Sequence, residues 1–344
     1  MRSALVLACL LAGPAGSIGS AQAADFRLEE VPSVATLDVA KLKPGTIAFS
    51  DHKADELADP TMGLLRFEDW VRERKAQKEA LSLYPAYREP TVNVSVNGIA
   101  KRHLEKLHVY VAEARFLLDK APGSVDLARY ARLDFLERMD PAIKHRAIRA
   151  EDVVPHKDPE SAYNRHPERR WCEAPGTLCI ESRYTLEGKL PIGIRLANKL
   201  DEGGKKISES MDFQSELRVL SPQDAAAMGL EAVTGLPAPV AGALEQNVFH
   251  VNQMMQFAKL LAVVQAHPSD AAKSVVTLFT VLAVESDVLE KKKEYERVPV
   301  LRNLVPAQVL MGNSSFNTGS SISAGLPEYA RNRVKAIAGI LQEK

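Results

Sequence analysis

The chain has 344 residues, of which 46% are hydrophobic and 26% charged, and its 44 Lys and Arg balance 44 Asp and Glu. Such a balance excludes a protein built to attract nucleic acid or an anionic membrane surface by net charge. The length exceeds what one compact core usually organises, so two domains are expected.

Residues 1–23 read as a secretory signal peptide. Arg2 precedes the apolar run Ala4–Ala12, and small residues follow to Ala21-Gln22-Ala23, an A-x-A cleavage site. The run is too short to span a bilayer. Cleavage near Ala23 leaves a protein that begins near Ala24 and works in the periplasm or outside the cell. The longest later apolar stretches, Leu260–Ala266 and Val275–Val284, fall short of the roughly 20 residues a spanning helix needs, so no transmembrane segment is expected.

Residues 24–60 show little periodicity and are read as an extended lead-in. Leu64, Leu65, Phe67, Trp70 and Val71 open an amphipathic helical pattern. Thr91–Val96 alternates strictly up to Asn97-Gly98, which predicts a strand and a tight turn. Leu104, Leu107, Val111, Ala114 and Leu118 recur at helical spacing, and Pro122-Gly123 ends that stripe. Ser124 reads as the N-cap of a further helix over 125–139. Residues 24–150 are therefore expected to form a mainly helical domain.

Residues 151–176, with Pro155, Pro159, Pro167 and Pro175 among charges, read as a proline-rich linker. His145, His156 and His166 lie around it at spacings unsuited to a metal, and are expected to be solvated. Cys172 and Cys179 are the only cysteines after the signal. In an oxidising compartment they are expected to form a disulfide across the turn centred on Pro175-Gly176.

Beyond the linker the period changes to two. Ile180, Ser182, Tyr184 and Leu186 share one side of a strand, and Met211, Phe213, Ser215, Leu217 and Val219 share one side of another. An antiparallel meander over 178–220 follows, with 190–196 as a middle strand, although Ile192, Leu196 and Leu200 also fit a helix over the same segment. Ser221-Pro222-Gln223-Asp224 predicts a capped helix running to about Val233. Leu244–Ala266 is expected to be helical, and Val275–Val288 a long buried strand. A Ser/Gly/Asn loop over 312–325 precedes a terminal helix, Leu326–Leu341, whose Val334, Ile337, Ala338 and Leu341 share one face.

The fold class expected is α+β: a helical N-terminal domain, then an antiparallel sheet domain over 177–344 closed by a C-terminal helix. The order of meander, long strands and apolar terminal helix resembles helix-grip lipid-binding domains, in which a curved antiparallel sheet wraps a C-terminal helix around a cavity. No motif of that group is matched residue by residue. The resemblance and the Leu/Ile/Met supply imply an exported protein that binds an apolar small molecule or lipid. The inward strand faces would supply the lining, Tyr184, Leu186, Phe213, Leu217, Phe279 and Val281, with the Val334–Leu341 face as a lid.

Two other classes stay open. One is an interaction or structural factor with an envelope protein partner. The other is a serine-dependent hydrolase using loop 312–325, although both of its G-x-S runs lack the closing glycine of a nucleophile elbow. No catalytic residue, metal ligand or cofactor is assigned, and nucleic acid is not an expected partner.

Overall fold

The computed structural model describes residues 26–51, 65–66, 91–96, 99–104, 107–157, 170–185, 210–250, 255–285 and 318–343. Its strands are β1 (Arg27–Glu30), β2 (Thr46–Asp51), β3 (Leu65–Arg66), β4 (Thr91–Val96), β5 (Ile99–Leu104) and β6 (Leu107–Leu118). There follow β7 (Ile143–Ala147), β8 (Leu178–Thr185), β9 (Ser210–Leu220), β10 (Val240–His250), β11 (Met255–His267) and β12 (Asp270–Glu285). The α-helices are α1 (Leu133–Met139), α2 (Val154–Lys157), α3 (Pro222–Ala227), α4 (Leu230–Thr234) and α5 (Thr318–Gln342).

Among the described residues, one 10-stranded sheet runs in the order β1-β2-β6-β12-β11-β10-β9-β8-β7, with β3 pairing β6. Only β1 and β2 are parallel. The sheet takes strands from both sides of residues 151–176.

Several elements differ from the sequence reading for identifiable reasons. The stripe over 104–118 is strand, Leu104 ending β5 and Leu107–Leu118 forming β6. Tyr110, Ala112, Ala114, Phe116 and Leu118 turn to one face, while Val111, Glu113, Arg115 and Leu117 turn to the other, and both sets are buried. Burial on both faces removes the polar alternation that marks a strand, and an apparent helical spacing remains. The same cause turns 244–266 from an expected helix into the antiparallel strands β10 and β11.

The helix expected over 125–139 is a 3-10 turn, Leu127–Tyr130, capped by Asp126 rather than Ser124, followed by α1. Leu65–Arg66 pairs with β6 as strand. The capped helix after Ser221 forms with its full capping box, Asp224 N–H donating to Ser221 Oγ at 3.1 Å. It breaks at Gly229, whose positive φ starts α4. β9 pairs directly with β8, while the expected middle strand 190–196 lies outside the described residues. The terminal helix begins earlier than expected, at Thr318.

The two faces of the sheet bury different things. On one, the even positions of β6, β10, β11 and β12 meet Ala330, Val334, Ile337, Ala338 and Leu341 of α5 and Phe135, Leu136 and Met139 of α1 in one apolar cluster. On the other, Val39, Leu42, Leu236 and Ala238 cover Leu117 and Val275. Arg115, 1% exposed, anchors that cover by donating from Nη2 to the Thr234 carbonyl at 2.5 Å and from Nε to Thr277 Oγ1 at 3.1 Å. Among the described residues, no helix is long and apolar enough to cross a membrane.

Candidate functional site

The face that α5 covers is apolar towards β6 and gains polar groups towards β7. Four neighbouring strands contribute them at inward positions: Gln246 on β10, Ser215 on β9, Ser182 on β8 and His145 on β7. Register fixes the row. Gln246 stands opposite Leu217, Ser215 opposite Ile180, and Phe213 opposite Ser182, which in turn faces His145.

Side chains link the row. Gln246 Nε2 donates to Ser215 Oγ at 3.3 Å. Ser182 Oγ lies 2.8 Å from His145 Nδ1. Arg333 descends from α5 and donates from Nη2 to Gln246 Oε1 at 3.0 Å and from Nη1 to the Tyr329 hydroxyl at 2.6 Å. Ile180, Leu217, Leu244 and Leu260 surround these groups.

The electrostatics follow from burial. Desolvation, reinforced by the Arg333 and Lys144 charges against Glu137, pulls the His145 imidazole down to about 4, so it is neutral in ordinary conditions. Desolvation pushes the Asp140 carboxyl above its usual range, although Arg333 pulls the other way. A serine beside a histidine suggests a nucleophile and its base. So weak a base is poorly matched to neutral pH, and the Glu137 carboxylate accepts the His145 backbone N–H rather than a ring proton. The pair reads better as a hydrogen-bonding feature of the lining.

The expected lining residues are only partly brought together. Tyr184, Phe213 and Leu217 are buried on the α5 side, in register with Ser182 and Ser215. Phe279 and Val281 are buried but sit at odd positions of β12, opposite Leu261 and Lys259, on the other face of the sheet. They cannot share a layer with the other three, because successive strand residues alternate faces. Leu186 lies outside the described residues. The Val334, Ile337, Ala338 and Leu341 face of α5 is buried against the sheet as expected. Loop 312–325 is helical backbone from Thr318, and its earlier part lies outside the described residues.

Sequence reasoning gave Ser182, Ser215, Gln246 and Arg333 no role in a site and expected His145 to be solvated, whereas its ring lies against Ser182. A signal existed for two of them: each serine stands on the apolar side of an alternating strand, where a hydroxyl needs a partner. Gln246 and Arg333 gave none, because β10 was read as helix and Arg333 borders the apolar stripe of α5.

The disulfide forms between Cys172 and Cys179, with Cα atoms 5.4 Å apart. The Ala174–Thr177 turn closes it, Thr177 N–H donating to the Ala174 carbonyl at 3.2 Å and Gly176 at φ +72° where a type II turn needs positive φ. Cys172 N–H donates to Glu216 Oε2 at 3.0 Å, which fastens the turn to β9. Nearby, Trp171 stacks on Phe249 at 4.5 Å. His156 is not solvated as expected: its Nδ1 lies 2.8 Å from the Ala150 carbonyl and its Nε2 accepts the Trp171 N–H at 3.1 Å.

No protein-family model matches the chain, and no curated protein matches it. Solved structures with a similar arrangement include the following three. Ara h 8.0201 is 8% identical with a TM-score of 0.27, the match covering 64% of this chain and 99% of that one. Norcoclaurine synthase from Thalictrum flavum, solved in complex with dopamine and hydroxybenzaldehyde, is 8% identical with a TM-score of 0.26, covering 60% and 89%. The human StarD13 (DLC2) lipid transfer and protein localization domain is 11% identical with a TM-score of 0.25, covering 76% and 95%.

Proposed function

We propose that this is an exported protein that binds an apolar small molecule or lipid between α5 and strands β7–β10. The observation that carries the reading is the uneven seating of α5. It packs most extensively against β6, β2 and α1. It is tied at its C-terminal end and near its middle: Lys120 Nζ donates to the Leu341 carbonyl at 2.8 Å, Arg138 of α1 grips both Glu343 oxygens at 2.6 Å, and Arg331 reaches Glu30 Oε1 at 2.6 Å. Towards β10, the described side-chain hydrogen bonding from α5 to the sheet is the Arg333–Gln246 contact. An apolar layer with a few fixed polar groups under a helix secured from the other side is the usual composition of a small-molecule site.

Tyr184, Phe213 and Leu217 remain the proposed lining, with Ser182, Ser215 and Gln246 as its polar points. Phe279 and Val281 have no part in it. Export is proposed from the A-x-A signal, and the Cys172–Cys179 disulfide fits an oxidising compartment. The test is to purify the full chain from its producing cells without detergent, extract it and analyse the extract by mass spectrometry. A stoichiometric apolar compound is expected. An empty extract, together with no uptake of added lipids, transfers the weight to an interaction role in the envelope. N-terminal sequencing of the same material should begin near Ala24, and a retained Met1 overturns the export proposal.

A further inference from the structure

The proline-rich segment between β7 and β8 is fastened to the sheet at both of its described ends, and His156 joins those ends to each other. From one side, Ile148 N–H donates to the Cys179 carbonyl at 3.0 Å and Val154 N–H donates to Gln214 Oε1 at 2.8 Å. From the other, Cys172 N–H donates to Glu216 Oε2 at 3.0 Å, and the Trp171 ring, 4% exposed, stacks on Phe249. His156 spans the gap. Its Nδ1 lies 2.8 Å from the Ala150 carbonyl, which can only accept, and its Nε2 lies 3.1 Å from the Trp171 amide nitrogen, which can only donate. Those partners require a neutral ring with its one proton on Nδ1. A second observation marks what this bridge holds. Cys172, next to Trp171, has φ +65°, the one non-glycine residue at positive φ among the described residues. A β-carbon is strained there, and such a backbone persists only while its surroundings impose it. The Trp171 and Cys172 amide bonds and the disulfide impose this one.

We propose that His156 is an acid-released catch. Protonation of Nε2 sets one N–H against another, breaks the Trp171 bond and lets Cys172 leave its strained backbone, so that 170–177 loosens from β9 and β10 while the disulfide keeps it tethered to β8. Imidazole is the side chain whose charge changes between about pH 8 and 5. The charged groups on the elements around the ring are engaged with one another. On its own side, Asp152 pairs with Arg149 at 3.1 Å and Lys157 at 3.4 Å, and Glu151 pairs with Arg149 at 2.6 Å. On the facing segment, Glu173 pairs with Arg170 at 2.9 Å. On the strands beneath, Glu181 pairs with Arg146 at 2.5 Å, and Glu216 accepts from Cys172 N–H and Asn247 Nδ2. The catch is therefore closed when the ring is neutral and opens as the pH falls. Its physiological setting, the variable pH outside the cytoplasm, rests on the export reading; the catch itself does not.

The test is amide hydrogen exchange of the full chain, read by mass spectrometry at about pH 8 and about pH 5, with each rate divided by the intrinsic rate at that pH. Peptides covering 170–177 report the catch, and peptides from β12 report the sheet. Protection over 170–177 is expected to fall about tenfold from the higher pH to the lower, the worth of one lost hydrogen bond, while β12 is unchanged. His156→Gln, whose amide can accept from Trp171 N–H but takes up no proton, should keep its protection at both pH values. His156→Ala should be weakly protected at both. Thermal melts check that the variants fold, and the unaltered chain decides the question even if one does not. Equal protection of 170–177 at the two pH values in the unaltered chain overturns the proposal. A parallel loss in β12 also overturns it, because the sheet as a whole would then be opening. So does a His156→Gln or His156→Ala chain that follows the unaltered chain, because another group would then be the sensor.

Discussion

His145 shows how burial sets chemistry at a single residue. It sits among Ser182, Glu137, Lys144 and Arg333, and desolvation is the largest reason its imidazole is pulled down to about 4. The folded state therefore prefers the neutral ring, while the unfolded chain has the ordinary pKa near 6.5. Stability from this source is fully present above about pH 6.5 and is lost as the pH falls through about 4. The ring is half-exposed, so solvent screening reduces the effect to about 1–2 kcal/mol. Urea unfolding at pH 7 and pH 4.5 should show His145→Gln losing less stability than the parent by that amount. Equal losses would remove His145 from the acid response.

The disulfide is a second residue-scale test. It closes a loop of sequence separation 7, and replacing both Cys172 and Cys179 with serine should cost about 2–3 kcal/mol in denaturant unfolding. Two free thiols in the denatured, unreduced protein would contradict the bond itself. This pair was legible in the sequence because it needed only parity and a Pro-Gly turn. The histidine environments were not, since Ser182 and Arg333 beside His145 and Trp171 beside His156 come from other parts of the chain.

At the scale of elements, legibility followed whether the signal was local. The Ser221 capping box, the Thr91–Val96 strand and the buried face of α5 are written in neighbouring residues, and all three form. β6, β10 and β11 were read as helix because a sheet buried on both faces has no wet side to show. The second face explains the charges within those strands. Lys259 on β11 and Glu245 on β10, each 4% exposed, form an ion pair there, with Arg218 of β9 at 3.5 Å from Glu245. Burial alone would push the Glu245 carboxyl up, but Lys259 and Arg218 hold it below the usual range. Lys259→Met should therefore leave the buried Glu245 carboxylate with the more distant Arg218 as its cation and cost up to about 3–5 kcal/mol, while the double variant with Glu245→Leu should recover most of that loss. Additive losses in the two single variants and the double variant would show that the pair is not coupled.

For the whole molecule, the sheet and its C-terminal helix were legible as an order of elements, but the single sheet joining both halves was not. β6 and β12 pair across about half the chain, and such pairing has no local trace. The candidate site depends on that pairing, because β6 and β12 join the strands under α5 to the strands β10, β9, β8 and β7. The most direct measurement of the central claim is to fill that layer at Leu217, which is 1% exposed and inward-facing. Leu217→Phe should leave unfolding stability nearly unchanged while abolishing retention of apolar ligand, read by native mass spectrometry of the full chain. A loss of about 1–3 kcal/mol, the usual cost of overpacking a filled core, with no ligand on the parent protein, would show a solid core there and contradict the account.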